Sequence, residues 1–296
     1  MIVDYHIHSP YCGHAHGQII QYIQTAIQKG IHEICFTDHL GRYYLSKLQK
    51  KRLWDWGMNE RNLPRYLLEI SDLKEVFSNQ INIKTGLEID FIEGADELLK
   101  STINDYAFDF KIGSIHCLPR ISWKHLSEIQ ETPTDRIYNE YFRLVNAAFK
   151  SNLFQSIAHI DFIWRYFQMP SGGRKAVELL IDNAIQSAVD NDCCVEINAN
   201  GFMWSQANAV DKDDLFCYML KKISDFGAKS RSALMLMSHF LSVNHIRHCF
   251  RYSRNSISLQ RVFSAIANSR SYLWDSLYAL RLGTPPKSPV GGLVKY

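Results

Sequence analysis

"IVDYHIHSPYCGHAHGQIIQYIQTAIQKGIHEICFTDH", residues 2–39, decides the fold. Residues 2–7 read as a short strand. QIIQYIQTAIQKG (18–30) sets apolar residues at helical spacing and stops at Gly30, and IHEICFT (31–37) returns as a strand. The alternation continues along the chain. INIKTGLEID (81–90), FDFKIGSIH (108–116), LFQSIAHID (153–161) and CCVEINAN (193–200) are strand-like, with helical stretches near 60–78, 135–150, 173–191 and 211–225 between them. Strands that alternate with helices predict an α/β fold with a parallel sheet and crossover connections, open or closed into a barrel.

Polar residues gather at the predicted strand ends. His6 and His8, Asp38 and His39, Glu88, His116, His159, and Glu196 with Asn198 each lie at or just past the C-terminal end of a successive strand. In a β/α barrel that rim is where active sites are assembled. Any one of these residues serves equally well as a polar exit from a strand; a whole series of strands ending in ligand-type side chains points to one site. His-x-His on a strand sends both imidazoles to the same face, because side chains alternate. Two such nitrogens can hold one divalent ion, and zinc, iron and manganese all accept mixed imidazole and carboxylate ligation.

Composition narrows the partners. At 296 residues, 46% apolar and 21% charged, the chain can bury a full core as one large domain. A net charge of +3 without a long basic block leaves no electrostatic footprint for nucleic acid or an anionic membrane. No apolar run approaches the roughly 20 residues of a membrane span, and the N-terminus lacks a charged-then-apolar leader pattern, so a cytoplasmic setting is expected. Seven cysteines, with no CxxC pair, predict reduced thiols.

The ordered series D-x-H-x-H (Asp4, His6, His8), C-x-H (Cys12, His14), T-D-H (Thr37–His39), G-L-E (Gly86–Glu88), G-S-x-H (Gly113–His116) and A-H-x-D (Ala158–Asp161) resembles the PHP metallophosphoesterases, and within them the histidinol-phosphatase branch. The resemblance covers residues 1–228. It implies a distorted seven-stranded β/α barrel of the TIM-like kind, with two to three divalent metal ions (zinc, manganese or iron) on its rim. It also implies metal-dependent hydrolysis of a small phosphate monoester, L-histidinol phosphate to L-histidinol and phosphate, in histidine biosynthesis.

Carried over by position, His6, His8, His14, His39, Glu88, His116 and His159 resemble the metal ligands, with Glu88 as the bridging carboxylate; His39, Glu88 and His116 are the residues expected to carry catalysis. In such a site clustered cations neutralise and orient the phosphate and lower the pKa of a bound water. Asp4 and Asp38 are expected to orient ligating imidazoles or to hydrogen-bond at strand exits. Arg165, in HIDFIWRY, is the expected substrate-binding residue, because a guanidinium fork matches phosphate geometry; Arg174, in SGGRK, is a second and more solvated candidate. Glu196 and Asn198 support the rim or bind polar groups of the substrate. His32 and His125 read as surface histidines, His16 as a spare imidazole, Cys12 as packing beside the site, and the Trp and Tyr residues of 43–66 as the packing of an insertion over the pocket.

One motif departs from the pattern. The family's S-D-A-H at the end of the seventh strand has no counterpart after LKKISDFGAK (220–229), where the chain reads SRSALMLMSHF and no aspartate occurs between Asp225 and Asp275. Lys229–Met237 can be encoded AAG TCA CGC TCG GCT CTG ATG CTC ATG. The same bases regrouped from the third onward spell V-T-L-G-S-D-A-H. That match points to a change of frame near residues 227–231, which makes the seventh strand doubtful and 229–296 an atypical, out-of-frame C-terminal segment ending in the unstructured GTPPKSPVGGLVKY. The expected organisation is therefore a catalytic barrel over 1–228 followed by that segment, in which His239, His245 and His248 are not read as replacement ligands.

Two further readings stay open: a catalytically impaired metal-binding remnant lacking the final Asp/His motif, and a PHP-type phosphodiesterase. Against the latter stand the single-domain length and the absence of a basic groove interleaved with aromatics. The expected partner is a small phosphorylated substrate, with no nucleic acid and no membrane, and nothing in the sequence signals an oligomeric state.

Overall fold

β1 (Val3–Ile7) and β2 (Glu33–Phe36) pair in parallel across α1 (Ile19–Gln28), so the opening stretch folds as the β-α-β unit its periodicity predicts. The structure is a computed structural model and describes residues 3–50, 57–198 and 215–233. The chain continues through α2 (Lys47–Lys50) and α3 (Leu63–Val76) to β3 (Asn82–Asp90), then α4 (Asp96–Ile103) and β4 (Phe110–Ser114). A hairpin of β5 (Cys117–Leu118) and β6 (Ser122–His125) and then α5 (Thr134–Lys150) lead to β7 (Ser156–Ile157). After it come α6 (Gly173–Asp190), β8 (Cys194–Asn198), α7 (Leu215–Asp225) and β9 (Ser230–Ala233). The main sheet has the order β1-β2-β3-β4-β7-β8-β9 and every pairing in it is parallel.

The sheet curls. Tyr5, Cys35, Phe110, Ile112 and Ala158 form a small apolar cluster of their own, although β1 and β4 are not neighbours in the sheet. Tyr5 meets Phe110 edge to face at 4.8 Å. His6 of β1 likewise reaches Glu196 of β8, and β9 packs beside β1, so the two ends of the sheet face each other. The result is the α/β fold with a curled parallel sheet that the alternation implies. β9 takes the seventh place, and its pairing with β8 runs from Val195↔Ser230 to Asn198↔Ala233. The chain from 234 onward, with His239, His245, His248 and the out-of-frame tail, lies outside the described residues, as do 51–56 of the insertion.

The helices form for ordinary reasons. In α1 the backbone N–H of Gln18 donates to Gln21 Oε1 at 2.8 Å, closing the first turn, and Ile19, Ile23 and Ala26 turn inward; Gly30 at φ +67° follows its end. In α5, Ile137, Tyr141, Leu144, Val145 and Ala148 recur every third or fourth residue and bury one face. α4 and the β5–β6 hairpin carry no comparable signal. α4 buries only Leu99 and Ile103 over its eight residues, and hairpin strands of two and four residues are too short to display an alternation.

Cys12, Cys35, Cys117, Cys193 and Cys194 are buried free thiols, as expected. Among the described residues no helix is long and apolar enough to cross a membrane.

β3 is clamped between its neighbours at Gly86. A Cβ there would lie 2.5 Å from the Phe110 carbonyl oxygen and 2.9 Å from both Cys35 Sγ and Thr37 Cγ2. Gly86→Ala is expected to destabilise the fold by about 1–3 kcal/mol through overpacking against backbone. Thermal unfolding reads this as a lower midpoint; an unshifted midpoint contradicts the close packing of β2, β3 and β4.

Candidate metal centre

Each predicted ligand sits where a parallel strand delivers it. His6 and His8 end β1, Glu88 and Asp90 end β3, and His39, His116 and His159 follow β2, β4 and β7 within three residues. Backbone bonds set His39 beside Glu88: Glu88 N–H donates to the Asp38 carbonyl at 3.0 Å and Leu40 N–H to the Glu88 carbonyl at 2.8 Å. The insertion then pins this segment, with Met58 N–H donating to the His39 carbonyl at 2.7 Å and Gly41 N–H to the Met58 carbonyl at 3.0 Å. Tyr66 supports it from behind, its hydroxyl 2.8 Å from the carbonyls of both Phe36 and Gly86.

Glu88 is the hub. Its Oε2 lies 2.9 Å from His6 Nε2, 3.3 Å from His8 Nε2 and 3.2 Å from His39 Nδ1. Its Oε1 lies 3.2 Å from His159 Nε2 and 3.5 Å from His116 Nε2. All six side chains are buried. Burial alone would push the Glu88 carboxyl up, but His39 and His6 beside it hold it well below the ordinary carboxylate range. Burial lowers His39 and His159, whereas on His6 the burial effect is overcome by Glu196 and Glu88, which raise it.

His14 stands apart from this shell. It is exposed at the mouth, its ring centroid 4.6 Å from that of His39 and 6.0 Å from that of His8, and burial of its inner part lowers its pKa. Arg165 is exposed on the other flank, its guanidinium carbon 5.4 Å from the Tyr166 ring centroid and 6.0 Å from that of Phe162.

The orienting carboxylates are not the expected pair. Asp4 accepts from the backbone N–H of His6 at 3.1 Å, and Asp38 Oδ1 accepts from Ser9 N–H, Ser9 Oγ–H and Cys12 N–H at 2.9, 3.0 and 3.2 Å. Both therefore work as hydrogen bonders at strand ends, and Asp38 shapes the 9–12 loop. Glu196 instead takes the proton of His6 Nδ1 at 2.6 Å and also accepts the backbone N–H of His159. Asp90 takes that of His116 Nδ1 at 2.7 Å, while its other oxygen receives Arg42 Nε and Nη2 at 2.9 and 2.7 Å. Burial opposes ionisation of Asp90, yet Arg42 and His116 hold it well below its usual range. The signal for Asp90 was present in the E-x-D spacing, which puts it on the face of β3 that carries Glu88.

His159 sits at φ +24°, a left-handed conformation rare for a non-glycine residue. Its carbonyl is held by the Tyr141 hydroxyl at 3.1 Å and by Phe162 N–H at 2.8 Å. Asp161, fully buried, finds no hydrogen-bond partner for either oxygen among the described residues, and burial raises its pKa.

Among the remaining candidates, Cys12 Sγ lies 3.5 Å from His8 Nδ1, Asn198 is buried on β8, Arg174 pairs with Glu178 at 2.7 Å along α6, and His16 and His32 are exposed. His125, read from the sequence as a surface histidine, is half-buried against the site. Its ring stacks at 6.0 Å on His116, and burial together with His116 pushes its pKa down to about 4.

The donor set fits divalent cations. His6 and His116 give their Nδ1 protons to Glu196 and Asp90, so in the neutral rings each Nε2 turns a lone pair toward an oxygen of Glu88. Two acceptors facing each other need a proton or a cation between them. The sets His6/His8/Glu88, His39/Glu88/His116 and His6/His159/Glu196 each bring three ligand atoms within 4.8 Å of one another.

The chain has known relatives. A probable histidinol-phosphatase of Deinococcus radiodurans is 32% identical over 165 residues, 54% of this chain and 60% of that protein's length. The histidinol-phosphatase of Bacillus subtilis is 25% identical over 230 residues, 71% of this chain and 85% of that protein. The crystal structure of the Lactococcus lactis histidinol phosphate phosphatase, complexed with zinc, L-histidinol and phosphate, superposes with a TM-score of 0.64 over 85% of this chain and 93% of its own; at 22% identity that is a likeness of fold. The family model of the PHP domain matches residues 4–200, from Asp4 of the first motif to just past β8, and the chain belongs to the PHP domain family.

Proposed function

We propose that the protein is a metal-dependent phosphoric monoester hydrolase that converts L-histidinol phosphate to L-histidinol and phosphate, a cytoplasmic step of histidine biosynthesis. The observation that carries this reading is the ring of five imidazoles around the two oxygens of buried Glu88. The histidinol-phosphatases among its relatives support the choice of substrate.

In this reading His6, His8, His14, His39, Glu88, His116 and His159 would hold two to three divalent ions. When bound, such ions neutralise phosphoryl charge and bring the pKa of a water near neutrality. The protein's own part is positional. Glu196 and Asp90 fix which nitrogen of His6 and His116 is left to bind a cation, and Arg42 keeps Asp90 ionised in a buried setting. Arg165, stacked on Phe162 and Tyr166 at the rim, supplies a fork of N–H donors for the phosphoryl oxygens. The catalytic unit spans 1–228, and 229–296, which opens with β9, is an atypical segment.

A second reading, a metal-binding remnant, is favoured by one observation: the sequence after β9 reads LMLMSHF where an Asp/His pair is expected. The two readings separate on metal content and turnover. The phosphatase should release phosphate from L-histidinol phosphate, stop when the ions are removed by chelation and restart when they are restored; Glu88→Gln should reduce release to background and lower the metal content. Fewer than about two ions per chain together with no turnover in the wild type favours the remnant. Asp90→Asn should weaken metal binding by roughly 10–100-fold, measured by competition with a chromogenic chelator. Unaltered affinity contradicts the orienting role of Asp90.

A further inference from the structure

The β5–β6 hairpin ends on His125 and brings it beside His116. The two rings lie 6.0 Å apart at 21°, and His125 meets Phe162 and Tyr166 nearly edge-on at 5.9 and 5.5 Å. Arg165 rests on the same two aromatic rings. Phe162 in turn packs on His116 at 5.2 Å and on His159 at 4.7 Å. One aromatic pair therefore carries an imidazole and a guanidinium on a single flank of the Glu88 cluster, in direct contact with two of its rings.

The chain also fixes where the hydrogen of His125 sits. Its Nδ1 accepts the backbone N–H of Ser127 at 3.2 Å and lies 2.8 Å from the Ser127 hydroxyl, which donates to it. A ring nitrogen that accepts carries no hydrogen, so the hydrogen of the ring resides on Nε2 and that atom is a donor. A phosphate monoester dianion presents only acceptors. The carboxylates of Glu88, Asp90 and Glu196 cannot meet them.

We propose that His125 and Arg165 form a two-residue clamp for the phosphoryl oxygens of the substrate, His125 donating from Nε2 and Arg165 from its guanidinium, with Phe162 and Tyr166 as their shared platform. The clamp rests on the phosphomonoesterase reading and adds to it a positioned donor delivered by the hairpin.

Inorganic phosphate serves as the probe, titrated calorimetrically into the metal-loaded wild type, His125→Phe and His125→Gln. His125→Phe keeps an aromatic ring on Phe162 and Tyr166 but removes the donor, so phosphate binding is expected to weaken about tenfold, the factor equivalent to about 1.4 kcal/mol. Metal content should be unchanged. His125→Gln, which keeps an N–H donor, should recover most of the affinity. Phosphate binding within about twofold of wild type in His125→Phe, no phosphate binding by the wild type, or loss of metal in parallel with phosphate affinity, each overturns the clamp. Turnover of L-histidinol phosphate by the wild type is read separately. Turnover with binding indifferent to His125 removes the clamp alone, and His125-dependent binding without turnover removes the phosphatase reading alone.

Discussion

Everything in this structure is arranged around one buried carboxylate. Glu88 sits at the end of the longest strand, and imidazoles from the ends of β1, β2, β4 and β7 converge on its two oxygens. A carboxylate taken out of water is costly unless it is paired, and histidines taken out of water resist protonation. The site reconciles these opposing tendencies by packing both kinds of group together, with lone pairs of His6 and His116 aimed at Glu88. That geometry suits cations of charge two, each shared among several ligands. The curl of the sheet is what makes it possible, since His6 and Glu196 belong to strands far apart in the strand order.

Behind the imidazoles stands a frame of carboxylates that orients them. Glu196 spans β1 and β7 by accepting from the His6 ring and the His159 backbone, and Asp90 ties His116 to Arg42. These bonds hold rings in one tautomer and one orientation, so the site is preorganised rather than assembled on demand. Tyr141 and Phe162 do the same for the left-handed backbone at His159, a conformation kept only where its surroundings hold it on several sides. Gly86, closed in by Phe110, Cys35 and Thr37, lets β3 lie near enough to its neighbours for these distances to hold.

The sequence made the skeleton of this account readable, and physics explains where it stopped. Alternating strands and helices leave periodic signals, and His6, His8, His39, Glu88, His116 and His159 were legible because parallel strands deliver their last residues to one rim. His14 follows from the family motif alone, and the structure puts it at the mouth beside His39 rather than on Glu88. Asp90 was readable through its two-residue offset from Glu88. Glu196 was read as supporting the rim or binding the substrate, and its particular partner, the His6 ring, was not legible because a bond between the first and a late strand is set by the curl and leaves no local trace. His125 was read as a surface residue because the four-residue strand that ends on it carries no apolar alternation, and only the fold of the hairpin shows that it stacks on His116. Asp4 and Asp38 were read either as orienting imidazoles or as hydrogen-bonding at strand exits, and the bonds to their Oδ1 atoms, from the His6 backbone and from the 9–12 loop, follow the second of these.

The most direct test is anomalous diffraction from crystals grown with zinc. The account predicts strong peaks within roughly 2.0–2.2 Å of the ligating nitrogens and carboxylate oxygens, beside Glu88 between His6 and His8 and again between His39 and His116. Anomalous density confined to surface histidines, with none adjoining Glu88, would contradict it.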